Sequence, residues 1–359
     1  MRIGIPAEIK PMEGRVALVP QAAGELVRAG HEVHVQSGAG TGSGYTDRDF
    51  SGLGVRIAAD AAELYASAQM ILKVKEPIEP EYDLLQSDHL LFCFLHLAAL
   101  PELARVLCMK RLRAVAFETV AEHGGLPILA PMSEIAGRLA AQIGTTLLHG
   151  PQGGRGVMLG GVPSAERGHV VVLGAGNVGL NAIGVAAAMG ARVTVLTRGR
   201  DSQLRAHALG PNVTALPPYS DLIRAAVVEA DLLIGAVLVP GARAPVLVDR
   251  KMVREMRAGS VIVDVSVDQG GCVETIRPTT YEAPTYVAEG VVHFGVTNMP
   301  GAVPRTSSQA LSAALLPYVE RLAEGPEADT VLAAATNVAN GEIVHPAVRK
   351  AVSLLGAIS

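Results

Sequence analysis

The 359-residue sequence has no tryptophan, and aromatic residues make up only 3% of it. Stacking platforms for bases or sugars are therefore scarce. The formal net charge is −4 and no basic run occurs, so nothing in the charge pattern invokes nucleic acid. The three cysteines, Cys93, Cys108 and Cys272, are odd in number, far apart and without a C-x-x-C pair. A disulfide framework or zinc site is disfavoured, and no metal is expected. The N-terminus, MRIGIPAEIK, is a short strand pattern with charges on both sides rather than a signal peptide, which predicts a cytoplasmic protein. One uncharged run, Val170 to Ala191, is long enough to cross a bilayer. Glycines at 174, 176, 179, 184 and 190 punctuate it, so no membrane span is expected. Internal repeats and low-complexity tracts are also absent.

What the chain does have is 49% hydrophobic and 18% charged residues, the balance of a well-buried globular enzyme, at a length that suggests two domains. Its organising stretch runs from His169 to Arg200. The apolar, β-branched run Val170 to Leu173 reads as a buried strand. Gly174-Ala175-Gly176-Asn177-Val178-Gly179 follows, then a helix-length run from Leu180 to Met189 with Gly190 as its stop, and a second strand from Arg192 to Leu196. In this context the G-x-G-x-x-G spacing has a mechanism. Gly174 permits the tight turn, Gly176 lets backbone approach a pyrophosphate, and Gly179 lets the helix press on the strand. Free N–H groups at the helix start then face the phosphates. The plain alternative is a glycine-rich turn with no ligand.

The end of the second strand reads the cofactor's ribose. An acid there suits NAD, whereas an Arg accommodates the 2′-phosphate of NADP. Here the residues are Thr197-Arg198-Gly199-Arg200. A hydroxyl beside two guanidinium groups leans toward NADP(H), the alternative being solvated loop charges.

From the start, the pattern alternates strand and helix. Strands are predicted at Arg2–Ile5, His31–Gln36, Val55–Ile57, Met70–Val74, His89–His96 and Arg113–Phe117. The helices between them are Pro20–Ala29, Asp47–Leu53, Ala59–Ser67 and Pro101–Lys110. This is a doubly wound α/β arrangement. A linker, Leu126 to Ala130, leads to a long helix from Met132 to His149 with Ser133 placed to cap it. Later strands are expected at Asp231–Ala236 and Ser260–Val265, and a last helix at Ser307–Leu322. Periodicity does not say whether the tail rejoins the first domain.

In such sheets, ligands sit beyond the carboxyl ends of the strands. Arg15, Lys75, His96 and Asp268 all fall at such ends or in the loops after them. Arg15 offers a bidentate clamp for a carboxylate, and Lys75 a charge to polarise a keto oxygen. His96 closes an apolar strand, and Asp268 follows VIVDVSV. Each alone has a dull explanation, as a solvated cation or a satisfied buried polar group. Together they suit an oxidoreductase acting on a small amino or keto acid.

With these residues in hand, the chain resembles the alanine dehydrogenase family, which includes the transhydrogenase α subunit. The resemblance runs through IGIPAEIKPMEGRVALVP, ILKVKEP, FLHLA, LAPMSEIAGRLAAQ, QGGRGVMLGGVP, the 174–179 turn, DLLIGAVLVPGA, VDVSVDQGGCVE, RPTTY and NMPGAVP. It implies two Rossmann-like domains: a discontinuous catalytic one, residues 1–128 with 299–359, and a dinucleotide-binding one, residues 129–298, with a parallel sheet. It also implies a homo-oligomer, typically a hexamer, and reversible oxidative deamination of L-alanine to pyruvate and ammonium. Carried over by motif, Arg15 pairs with the substrate carboxylate and Lys75 with the keto or amino end. His96 is the general acid/base, Asp268 a second acid/base, and Met132 lines the substrate. Ser133, Val237, Leu238 and Asn298 join the glycine turn, Asn177, Val178, Thr197 and Arg198 around NAD or NADP. Glu118 is the expected carboxylate partner of Lys75. Thr197 departs from the Asp of NAD-using relatives. Transhydrogenase subunits lack the lysine and histidine found here, so that reading is the weaker one. A dehydrogenase of another small amino or imino acid is the nearer alternative, with Phe94, Leu129 and Met132 shaping the choice.

Overall fold

The computed structural model describes residues 1–238, 243–325, 327 and 329–354. The end of the motif DLLIGAVLVPGA, from Val239 to Ala242, lies outside them. Two compact units divide the chain, one of Met1–Met132 with Gly301–Ser359 and one of Ser133–Pro300.

In chain order the strands are β1 (Arg2–Ile5), β2 (Glu32–Gln36), β3 (Arg56–Ala58), β4 (Met70–Leu72), β5 (Leu90–Cys93), β6 (Arg113–Ala116), β7 (His169–Leu173) and β8 (Arg192–Leu196). They continue with β9 (Val213–Leu216), β10 (Leu232–Gly235), β11 (Val261–Asp264), β12 (Thr285–Ala288), β13 (Val291–Phe294), β14 (Thr336–Ala339) and β15 (Glu342–Ile343).

The first unit's sheet has the order β15-β14-β6-β5-β4-β1-β2-β3. β1 to β6 run parallel, and the tail rejoins this sheet because β14 pairs antiparallel with β6 and β15 with β14. A parallel sheet needs both faces covered, and β4 and β5 are buried at every residue, as that requires. Helix Pro304–Glu324 also belongs to this unit: its Ser308 and Ser312 hydroxyls accept the N–H groups of Val16 and Val19 at 2.9 and 2.8 Å.

The second unit's sheet has the order β12-β13-β11-β10-β7-β8-β9. It is parallel except for the edge strand β12. The β7–β10 neighbourhood is the switch point where the strand order reverses, and doubly wound sheets open a ligand crevice there. In the first sheet the corresponding point lies between β1 and β4.

Several expected boundaries move. The helix expected from Met132 spans Ala130–Leu147, so Ser133 sits inside its first turn and is not its cap. Ala130, the last residue of the expected linker, starts the helix, and Pro131 suits its first turn because a helix start has no use for the N–H that proline lacks. β5 ends at Cys93, so His96 lies in the turn beyond it and not at the strand's last position. Among the described residues no helix is long and apolar enough to cross a membrane.

Candidate active site

In the first unit, the chain after β1, β4, β5 and β6 carries nearly all of its buried charge. Arg15 is 2% exposed. The Nε and Nη2 edge of its guanidinium donates to the Glu13 carboxylate at 2.7 and 2.5 Å, and Nη1 donates to Met132 Sδ at 3.3 Å. The sequence reading passed over Glu13, two residues before Arg15 in PMEGR. It fixes the fork's orientation in a bidentate pair.

Beyond β4, Lys73 and Lys75 face different surroundings. Lys73 is fully buried, 2.6 Å from Glu81 and 3.3 Å from Glu8. Burial pushes the Glu8 carboxyl up against the pull of Lys73. Burial opposes the Lys73 ammonium, yet the two carboxylates hold its pKa above the ordinary lysine range. Glu8 Oε1 also accepts the N–H of Val74 at 2.6 Å and of Lys75 at 3.3 Å, which anchors the backbone that presents Lys75.

The Lys75 side chain is 15% exposed, and its Nζ lies 3.8 Å from Glu76 Oε2. His96 Nδ1 lies 3.7 Å from the same oxygen, with the ring 44% exposed. Glu76 Oε1 pairs with Lys10. Burial alone would push the Glu76 carboxyl up, but His96, Lys75 and Lys10 together bring it down to about 2. The structure thus gathers Lys75 and His96 around one carboxylate, and that carboxylate is Glu76, not Glu118. Glu118 instead accepts the backbone N–H of Leu95 at 3.2 Å and of His96 at 2.6 Å. His96 has φ 49°, a left-handed conformation that a non-glycine residue adopts at a cost, and Glu118 holds it there. Phe94, buried, packs edge-on against Phe117 and tilts toward the His96 ring at 5.8 Å.

In the second unit, the 174–179 turn lies at the carboxyl end of β7. Gly174 has φ 97°, and a Cβ there would lie 2.4 Å from the Ala236 carbonyl oxygen. A Cβ on Gly179 would lie 2.1 Å from the Gly174 carbonyl oxygen, so the helix can only pack this closely as glycine. Gly176 differs: no protein atom comes within 4 Å of a Cβ built there. The protein's own packing makes no demand for glycine at that position, whereas a diphosphate drawn against the backbone does. Helix Asn177–Ala188 starts at Gly176 with no side chain capping its first N–H groups. These observations fit a dinucleotide, which Gly174, Gly176, Asn177, Val178 and Gly179 could hold.

Thr197 is buried just past β8, and Arg198 is exposed beside it. Gly199, φ 79°, leads into helix Arg200–His207, which starts with no side chain capping its first N–H groups. Beyond β10, the Val237 N–H donates to Ser266 Oγ at 3.0 Å, and Leu238 is exposed. Ser266 lies in the short 3-10 helix Val265–Gln269, which carries Asp268, exposed. Asp264 is structural. Its carboxylate accepts the N–H groups of Ser266, Cys272 and Val273 at 2.9, 2.7 and 3.1 Å, and so shapes the loop that presents Asp268. Asn298, with φ 58°, also lies in the left-handed region. Ser133 lies in this unit and Met132 in the other.

Comparison with known proteins places these features in a family. The N-terminal domain model of alanine dehydrogenase/PNT matches residues 4–136, and its C-terminal domain model matches residues 140–346. The chain is 47% identical over 357 residues to the alanine dehydrogenase of Bacillus subtilis strain 168, covering 98% of this chain and 94% of that one. It is 50% identical over 327 residues to the alanine dehydrogenase of Mycobacterium tuberculosis strain H37Rv, covering 90% and 88%. A solved L-alanine dehydrogenase superposes with a TM-score of 0.95 at 50% identity, covering 99% of this chain and all of that one.

Proposed function

Because the chain belongs to the alanine dehydrogenase/PNT family, we propose that it catalyses the reversible oxidative deamination of L-alanine to pyruvate and ammonium with a nicotinamide cofactor. The observation that carries this reading is the gathering of Lys75 and His96 on one buried carboxylate beyond β4 and β5. A protein that only passed hydride between cofactors would need neither group.

Arg15, oriented by Glu13, pairs with the substrate carboxylate, and Met132 lines its surroundings. Lys75 directs its ammonium at the keto oxygen or amine and stabilises negative charge forming on oxygen. A bound nicotinamide cofactor would supply the acceptor for the hydride on Cα. Hydride leaves Cα only when the amine is neutral, so His96 first takes the ammonium proton. After passing that proton to solvent, it takes one from the attacking water and returns it to the departing nitrogen, with Asp268 serving as second acid/base. Gly174, Gly176, Asn177, Val178, Gly179, Val237, Leu238, Ser133 and Asn298 hold the cofactor. Thr197 and Arg198 face its adenosine ribose. With no carboxylate there to repel a 2′-phosphate, NADP(H) is accepted at least as well as NAD(H). The working assembly is a homo-oligomer, a hexamer by family resemblance.

Steady-state reduction of pyruvate in the presence of ammonium, with NADH and NADPH side by side, tests this reading. Turnover with pyruvate is expected. Cofactor binding with no turnover would shift the assignment to another 2-oxo acid, and a strong NADH preference would overturn the cofactor proposal.

A further inference from the structure

The roles assigned above leave Glu76 without one, yet its position is the least explained in the first unit. Its side chain is 7% exposed. Oε1 is taken by Lys10, while Oε2 is buried and accepts no hydrogen bond. A buried carboxylate oxygen with no bond made is costly. Two donors stand within an ångström of bonding distance, Lys75 Nζ at 3.8 Å and His96 Nδ1 at 3.7 Å. The backbone on either side is already fixed, at Lys75 by Glu8 and at His96 by Glu118. Small side-chain torsions therefore suffice to close both contacts.

We infer that Glu76 is a positioning residue: its Oε2 accepts the Nδ1–H of His96 and holds the Lys75 ammonium beside it, so that Nε2 of His96 moves the substrate's proton. The inference rests on the reading of Lys75 and His96 as the catalytic pair. An ionised carboxylate accepts hydrogen bonds and donates none, so it selects the tautomer with hydrogen on Nδ1 and a lone pair on Nε2. The strongly acidic carboxyl, held down to about 2 with Lys10 on its other oxygen, stays ionised throughout the working range. During turnover Nε2 takes the proton of the substrate ammonium and releases it to solvent, then carries the proton of the attacking water to the departing nitrogen, while Nδ1–H remains on the ring. No bond to Glu76 forms or breaks. A carboxylate behind the imidazole orients it as in other acid/base pairs.

Magic-angle-spinning spectra of the full-length protein labelled with 15N-histidine test this directly, with the His96 signal among ten histidines assigned by its loss in His96→Ala. For the neutral ring, hydrogen on Nδ1 is expected; hydrogen on Nε2 would overturn the proposal. Kinetics give the second arm. Glu76→Gln is expected to lower kcat about a hundredfold with the pyruvate KM little changed, and Glu76→Asp to restore part of it. Normal kcat in Glu76→Gln, or equal losses in both variants, would overturn the proposal. Failure of the underlying reading looks different, because His96→Ala or Lys75→Ala would then turn over at near-normal rates.

Discussion

Lys73 sits wholly buried between Glu8 and Glu81, and Tyr65 donates its hydroxyl to Glu81 at 3.0 Å. Removing the ammonium leaves two carboxylates facing each other in the core. Lys73→Met is expected to destabilise the protein by about 3–5 kcal/mol, read from the urea midpoint, with part recovered when Glu81→Gln is added. Glu76 yields a pH-dependent counterpart. Its folded pKa, about 2, lies below the ordinary 4.5, so its contribution is fully present above pH 4.5 and is lost as pH falls toward 2. That contribution is on the order of 3 kcal/mol. The stability gap between wild type and Glu76→Gln should therefore hold from pH 7 to 5 and shrink below 4.5; a gap constant down to pH 3 would contradict it. At the ribose end, Thr197→Asp is expected to cut kcat/KM for NADPH at least tenfold while sparing NADH, since it puts a carboxylate where a phosphate would lie.

At the scale of elements, the glycine turn separates two jobs that its spacing merges. Gly179→Ala forces the helix off Gly174, so both the melting temperature and cofactor affinity should fall. Gly176→Ala meets no protein atom. It should melt as the wild type does yet bind NADH or NADPH at least tenfold more weakly by fluorescence titration. This turn was legible because strand, glycines and helix follow one another and obey local rules. So were β7, β10 and β11, short runs buried at every residue, and β8, which buries Val193, Val195 and Leu196. β9 and β12 were not, since their residues bury no consistent face, and β13 hid behind His293, a buried imidazole satisfied by Thr275 at 2.7 Å. The site was readable as residue types but not as an arrangement. Glu118 sets the His96 turn from 22 residues away, and Glu76, next to Lys75 and before a proline, reads as one more solvated charge. A carboxylate just past a buried strand was the available signal.

At the scale of the molecule, the first unit needs both ends of the chain. Strand β14, the edge strand β15 and helix Pro304–Glu324 come from the tail, and that helix buries Leu311, Leu315, Val319 and Leu322. Ending the chain at residue 300 is expected to leave residues 1–132 protease-sensitive while residues 133–300 stay protected; limited proteolysis with mass spectrometry distinguishes them. This discontinuity also sets a timetable. At ~5–20 residues per second of synthesis, the N-terminal strands emerge on the order of ten seconds or more before the segment that finishes their sheet. The second unit, contiguous in sequence, completes first, although it is made later than most of its neighbour. During that interval the unfinished β6 edge is open to pairing with other nascent chains, so translation speed and chaperone supply govern how much of the product reaches its native form.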